Sequence, residues 1–135
     1  MSPATAAFAE RLAKLHRALD RFGELLAKHP KPGDDLSDGA IQRFEFCFEI
    51  FWRVLRAALD GEGIAAASPR AAFRGAYAMG WLAEEKLWLD MMQARNLTSH
   101  TYDAETAQTV LADLPRFHAA MRAVAEALPH QLPPS

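Results

Sequence analysis

A single cysteine, Cys47, stands in a chain of 135 residues. That excludes an internal disulfide framework and points to a reducing compartment, the cytoplasm. β-Branched residues are equally scarce, with Val, Ile and Thr together numbering 11 against 27 alanines. Strands draw on the β-branched residues and helices on alanine, so all-β and parallel α/β folds are excluded. Charge of one sign is missing as well: the net charge is −2 and the isoelectric point about 6.2, which gives no global basic bias toward nucleic acid. No long apolar run is present. The most hydrophobic stretch, 41–59, carries Arg43, Glu45, Glu49, Arg53 and Arg56, which makes it a poor membrane span. Residues 1–10 lack a charged start followed by an apolar core, so no secretory signal is read there. Glycine-rich phosphate loops are absent, and His16, His29, His118 and His130 show no ligand spacing. Neither a metal site nor a resident cofactor is therefore expected.

The residues that are present specify helices. Phe8, Leu12, Leu15, Leu19, Phe22 and Leu26 recur at spacings of three and four, predicting a helix from about Thr5 to His29 that Pro30 and Pro32 stop. A second helix is predicted from a cap at Ser37 or Asp38 to about Asp60, with Ile41, Phe44, Phe48, Phe51 or Trp52, Leu55 and Leu59 as its stripe. Phe46, Cys47, Ile50 and Val54 lie off that stripe. They imply burial on two sides, by the bundle and by a partner, or a central helix in a monomer. Ser68-Pro69 starts a short third helix that yields near Gly80. A fourth element runs from Trp81 to about Leu97, and a fifth from a cap at Asp103 to Leu128. Its stripe is Val110, Leu114, Phe117, Met121, Val124 and Leu128, with Pro115 expected to bend it or split off its first turns. Met79, Met91, Met92 and Met121 are read as core filler. The expected fold is all-α: an antiparallel four-helix bundle with an extra short helix, one domain over 1–135 with 129–135 as a frayed tail.

Chemistry concentrates in the segment Arg95-Asn96-Leu97-Thr98-Ser99-His100-Thr101-Tyr102. A guanidinium can clamp phosphate oxygens and stabilise charge developing on a phosphorane. An imidazole can move the proton of a ribose 2′-hydroxyl near neutral pH. Together they suffice for metal-independent RNA cleavage by internal attack. Spacing alone does not single them out, because Arg11 and His16 are separated identically on an ordinary amphipathic helix. Five residues on an unbroken helix also rotate the side chain by about 140°. Arg95 and His100 therefore converge only if the helix ends between them or if a second chain contributes. Plainer roles are a helix C-terminal cation for Arg95, a capping or loop histidine for His100, and a half-buried ring with a wet hydroxyl for Tyr102. Glu45 and Glu49, one turn apart among aromatics, are read as salt-bridge partners of nearby arginines rather than as a catalytic pair.

Arg-Asn followed by His four residues after the Asn resembles the signature of the HEPN superfamily, and the further Thr-Tyr resembles the Arg-x4-His-x-Tyr pattern of HepT-type proteins. The blocks Arg43 to Trp52, Ser68-Pro69-Arg70 and Trp88 to Arg95 are similar to the nucleotidyltransferase substrate-binding branch of that superfamily. The resemblance implies a helical-bundle homodimer, possessing a ribonuclease site at the dimer cleft and partnered by a minimal nucleotidyltransferase that acts as antitoxin by transferring AMP onto the motif tyrosine. Carried onto this chain, Arg95 would stabilise the phosphate, Asn96 would orient the site, His100 would act as general acid or base, and Tyr102 would accept the AMP. The alternative is a non-catalytic substrate- or nucleotide-binding subunit of a two-component nucleotidyltransferase. A third reading is a structural bundle with no partner. Residues 1–33 carry six Lys/Arg against three Asp/Glu, and 34–67 carry three against seven. That asymmetry suits RNA along the first helix, and a solvated basic face equally.

Overall fold

The computed structural model describes residues 3–132. Five α-helices follow one another: α1 Pro3–Leu26, α2 Asp35–Gly61, α3 Pro69–Ala78, α4 Glu85–Leu97 and α5 Ala104–Gln131, with a 3-10 turn Thr98–His100 between the last two. Among the described residues there is no strand, and the all-α bundle expected from composition is the fold found. No helix among them is long and apolar enough to cross a membrane.

Helix α2 is the axis of the molecule and packs against α1, α3, α4 and α5. That explains its apolar circumference. Its stripe residues are buried, and so are Cys47 and Val54 on other faces. Burial pushes the Cys47 thiol up to about 12, which leaves it protonated and unreactive at neutral pH. Phe44 stacks on Phe117 with ring centroids 5.5 Å apart, tying α2 to α5. Phe51 stacks on Trp88 at 5.4 Å, and Phe73 meets both edge-on. This second cluster locks α3 and α4 onto α2 and so fixes where the end of α4 lies.

Several boundaries differ from the expected ones, each for a local reason. Helix α1 ends at Leu26 rather than His29, because Lys28 and His29 already donate back three residues and His29 turns left-handed at φ 52°. Helix α2 is capped by Asp34, not Ser37 or Asp38. The Asp34 carboxylate accepts the Ser37 N–H at 2.7 Å while the Ser37 hydroxyl donates to the Asp34 carbonyl at 2.9 Å. Helix α4 starts at Glu85 rather than Trp81. Gly80, at φ 80°, closes α3 and sends the Trp81 N–H back to the Ala76 carbonyl, a Schellman ending that turns the chain out of the helix. Trp81 and Leu82 are buried as anchors of the connection. Helix α5 passes through Pro115 without splitting and continues through Pro129 to Gln131. Of the segment 129–135 expected as a frayed tail, 129–131 are thus helical and Leu132 packs on the core, while residues 133–135 lie outside the described ones. Met91 and Met121 fill the core and Met92 packs against it, whereas Met79 is exposed.

Candidate functional site

Helix α4 buries Trp88, Met91 and Ala94 on one face, which places Arg95 at the edge of its contact with α2. The guanidinium reaches across to α2, where Nη1 lies 3.3 Å from Glu45 Oε2 and Nη2 lies 3.7 Å from Glu49 Oε1. Nη1 also donates to the Thr98 hydroxyl at 2.9 Å, and that hydroxyl donates to the Arg95 carbonyl at 2.7 Å. Only 29% of the Arg95 side chain is exposed. Its Nε is buried without an acceptor, the one such side-chain atom among the described residues. Glu49 is held in turn by the Trp52 indole N–H at 3.1 Å and by Arg53 at 3.6 Å. The expected salt bridges of Glu45 and Glu49 are therefore found. The plain reading of Arg95 as a cation bonded to its own helix carbonyls is not, since its charge is turned to α2.

Beyond Arg95 the chain stays ordered by its own side chains. The Ser99 hydroxyl donates to the Asn96 carbonyl at 3.0 Å and the Thr101 hydroxyl to the Thr98 carbonyl at 3.2 Å. Asp103 then caps α5, its carboxylate accepting the Thr106 N–H and hydroxyl at 3.0 and 2.8 Å. Those two bonds hold its carboxyl below the usual carboxylate range. Pinned at both ends, the turn presents Asn96, His100 and Tyr102 to solvent. The His100 ring lies edge-on to Tyr102 at 6.0 Å. Tyr102 is 86% exposed, not the half-buried ring usual for tyrosine.

The α-helix does end between Arg95 and His100, at Leu97. This does not bring the two together. A 3-10 turn winds by about 120° per residue instead of 100°, too small a change to swing His100 round to Arg95. Among the described residues no hydrogen bond joins them. The structure thus gathers Arg95 with Glu45 and Glu49, and His100 with Tyr102, as two neighbouring groups rather than one. In the identically spaced pair on α1 the histidine is structural: His16 Nδ1 sits 3.3 Å from Arg122 Nη1 on α5, and Arg122 also pairs with Asp20. His118 is structural too, its Nε2 lying 2.9 Å from the Leu19 carbonyl.

Arg95 and Asn96 border an open cleft of about 590 Å³ between the end of α4 and the start of α3, walled by Phe48 and Met92 and reached by Arg70 and Ser99. Arg70 was not among the expected site residues; the sequence marked it only as the end of the Ser68-Pro69-Arg70 block. A larger groove of about 1090 Å³ runs between the start of α1, the end of α2 and the end of α5. It is lined mainly by aliphatic side chains, and none of the motif residues reaches it.

Residues 10–130 match the family described as nucleotidyltransferase substrate binding protein like. A Haemophilus influenzae protein named as a probable ribonuclease HepT is 34% identical over 89 residues, which cover 62% of this chain and 61% of that protein's length. A crystal structure of a Thermus thermophilus protein superposes with a TM-score of 0.78 at 38% identity, over 84% of this chain and 98% of that one. A second solved structure, from Haemophilus influenzae and described as revealing the fold of a substrate binding domain of a nucleotidyltransferase, gives a TM-score of 0.64 at 25% identity over 91% and 97% of the two chains. With the family match reaching into all five helices and covering the whole 95–102 motif, the chain belongs to the family of nucleotidyltransferase substrate-binding-like proteins.

Proposed function

We propose that this chain is a HepT-like toxin: a cytoplasmic, single-domain protein that forms a homodimer, is restrained by a minimal nucleotidyltransferase, and cleaves RNA without a metal at the dimer cleft. The observation that carries the reading is the placement of the motif. Arg95 is held by two carboxylates at the mouth of an open cleft beside Asn96, while His100 and Tyr102 stand exposed on the adjoining turn. An imidazole and a guanidinium that do not meet within one protomer can meet across a two-fold axis. Exposed Phe46 and half-buried Ile50 on α2, with exposed Leu89 and half-buried Met92 on α4, supply apolar surface for such a contact. The name carried by the Haemophilus relative supports the ribonuclease reading, and the family supports the nucleotidyltransferase partner.

In the reaction, the ribose 2′-oxygen attacks the adjacent phosphorus as His100 takes its proton. The bond from phosphorus to the 5′-oxygen breaks, that oxygen takes a proton from water, and a 2′,3′-cyclic phosphate is left. Arg95 balances the charge that builds on the phosphorane, and Asn96 orients the phosphate. Tyr102 takes no part in cleavage. Its exposed hydroxyl attacks the α-phosphorus of ATP held by the partner, pyrophosphate leaves, and the adenylyl group so attached would block the turn and silence the cleft.

Purified chain freed of its partner is expected to cut RNA in EDTA. His100→Ala should lower the rate at least about a hundredfold, the usual share of an acid–base residue, with the oligomer unchanged in light scattering. Equal rates for wild type and His100→Ala would remove the catalytic assignment. One observation favours a second reading, a non-catalytic subunit that presents substrate to the nucleotidyltransferase: Arg95 is already paired with Glu45 and Glu49 in the protomer. That reading predicts stable binding to the enzyme and no cleavage by the isolated chain.

A further inference from the structure

Arg95 alone makes an unconvincing phosphate site, because two carboxylates face one guanidinium. A phosphodiester arriving there would meet more negative charge than positive. The cleft holds a second cation. Arg70, in the first turn of α3, is exposed and has no carboxylate within salt-bridge distance among the described residues. It borders the same cleft as Arg95, which Asn96 and Ser99 also line. A guanidinium keeps its charge and its fork of donors at any physiological pH. At about 590 Å³ the cleft falls within the range of small-molecule sites. Half-buried Met92 offers apolar contact to a base or ribose, Phe48 lies buried behind it, and Glu49 lines the cleft beside the two cations.

We infer that this cleft is a nucleoside-phosphate subsite in which Arg70 binds the phosphate neighbouring the one held at Arg95. The ligand's identity as RNA rests on the ribonuclease reading; the subsite itself rests on the cleft and its unpaired cation. Arg70 would thus offset the excess negative charge of the two carboxylates on Arg95, and would act on binding rather than on the chemical step.

The test is fluorescence anisotropy of the full chain, freed of its partner, with a short 2′-O-methyl oligoribonucleotide, which cannot be cleaved and so reports binding alone. Arg70→Ala should weaken binding about tenfold and lower the salt slope by about one, as loss of one phosphate contact does, while Arg70→Lys keeps part of the affinity. Arg74→Ala, one turn further along α3 and outside the cleft, should bind as wild type. The probe reports binding without cleavage, so an absence of RNA cleavage would sink the ribonuclease reading without touching this readout. AMP displacing the probe from wild type but not from Arg70→Ala would support the subsite with a free nucleotide as its ligand. Wild-type binding by Arg70→Ala, equal weakening by Arg74→Ala, or no binding of either probe by the wild type would each overturn it.

Discussion

Arg95 is held tightly without being a strong source of stability. Taking a guanidinium and two carboxylates partly out of water costs about as much as their attraction returns, and Nε is left without an acceptor. A buried donor left unmade costs about 1–3 kcal/mol, which suits a group positioned for a ligand or a second chain. Tyr102 shows the opposite arrangement, 86% exposed with the edge of His100 against it. Incubation with the partner nucleotidyltransferase and ATP is expected to add one adenylyl group to the chain in mass spectrometry, and Tyr102→Phe should abolish the increment. An increment that persists on the phenylalanine variant would move the acceptor elsewhere. The pairing of Glu45 and Glu49 with arginines was legible from their one-turn spacing, and Arg53 is the local partner. That Arg95 would come from another helix was not, since such a contact depends on how α4 packs on α2. Gly23 was illegible for the same reason: a Cβ there would stand 2.9 Å from His118 Nε2, on α5.

At the scale of elements, hydrophobic spacing read α1, α2 and α5 closely because each presents an uninterrupted stripe to one core. The ends were read less well. Asp34, Ser37 and Asp38 are all able to cap α2, and only the folded turn selects Asp34, whose carboxylate meets the Ser37 N–H. Before α4, Trp81 and Leu82 carry the hydrophobic pattern onward although the backbone is not helical, since they are buried as anchors. The excess apolar surface of α2 divides between two causes. Cys47 and Val54 are covered by the chain itself, and Phe46 is left 49% exposed, with Leu89 on α4 at 45%. A charge placed at either position should disfavour the proposed dimer while sparing the fold. Phe46→Glu is expected to raise the dimer dissociation constant by on the order of a hundredfold, the cost of burying an unpaired charge being at least a few kcal/mol. Sedimentation equilibrium would read this, with unchanged helical circular dichroism. A Phe46→Glu protein that dimerises like wild type would place the interface elsewhere.

For the whole molecule, the proposed reading does not depend on the near-neutral charge that argued against nucleic acid. A cleft that uses Arg95 and Arg70 needs no basic surface, and Glu45 and Glu49 cancel part of the local charge. The described residues build one core within one chain, but Arg95 and His100 are not brought together by it. The family's motif was legible in the sequence, whereas this separation required three-dimensional packing to see. The central claim is that Arg95 of one protomer works with His100 of the other, and complementation tests it most directly. Arg95→Ala and His100→Ala proteins, each inactive, would be mixed in equal amounts, subunits exchanged, and RNA cleavage measured. If the site is shared, about half the dimers are mixed and each mixed dimer keeps one of two intact sites, so activity should return to about a quarter of wild type. No recovery, with mixed dimers shown by native mass spectrometry to be present, would contradict it.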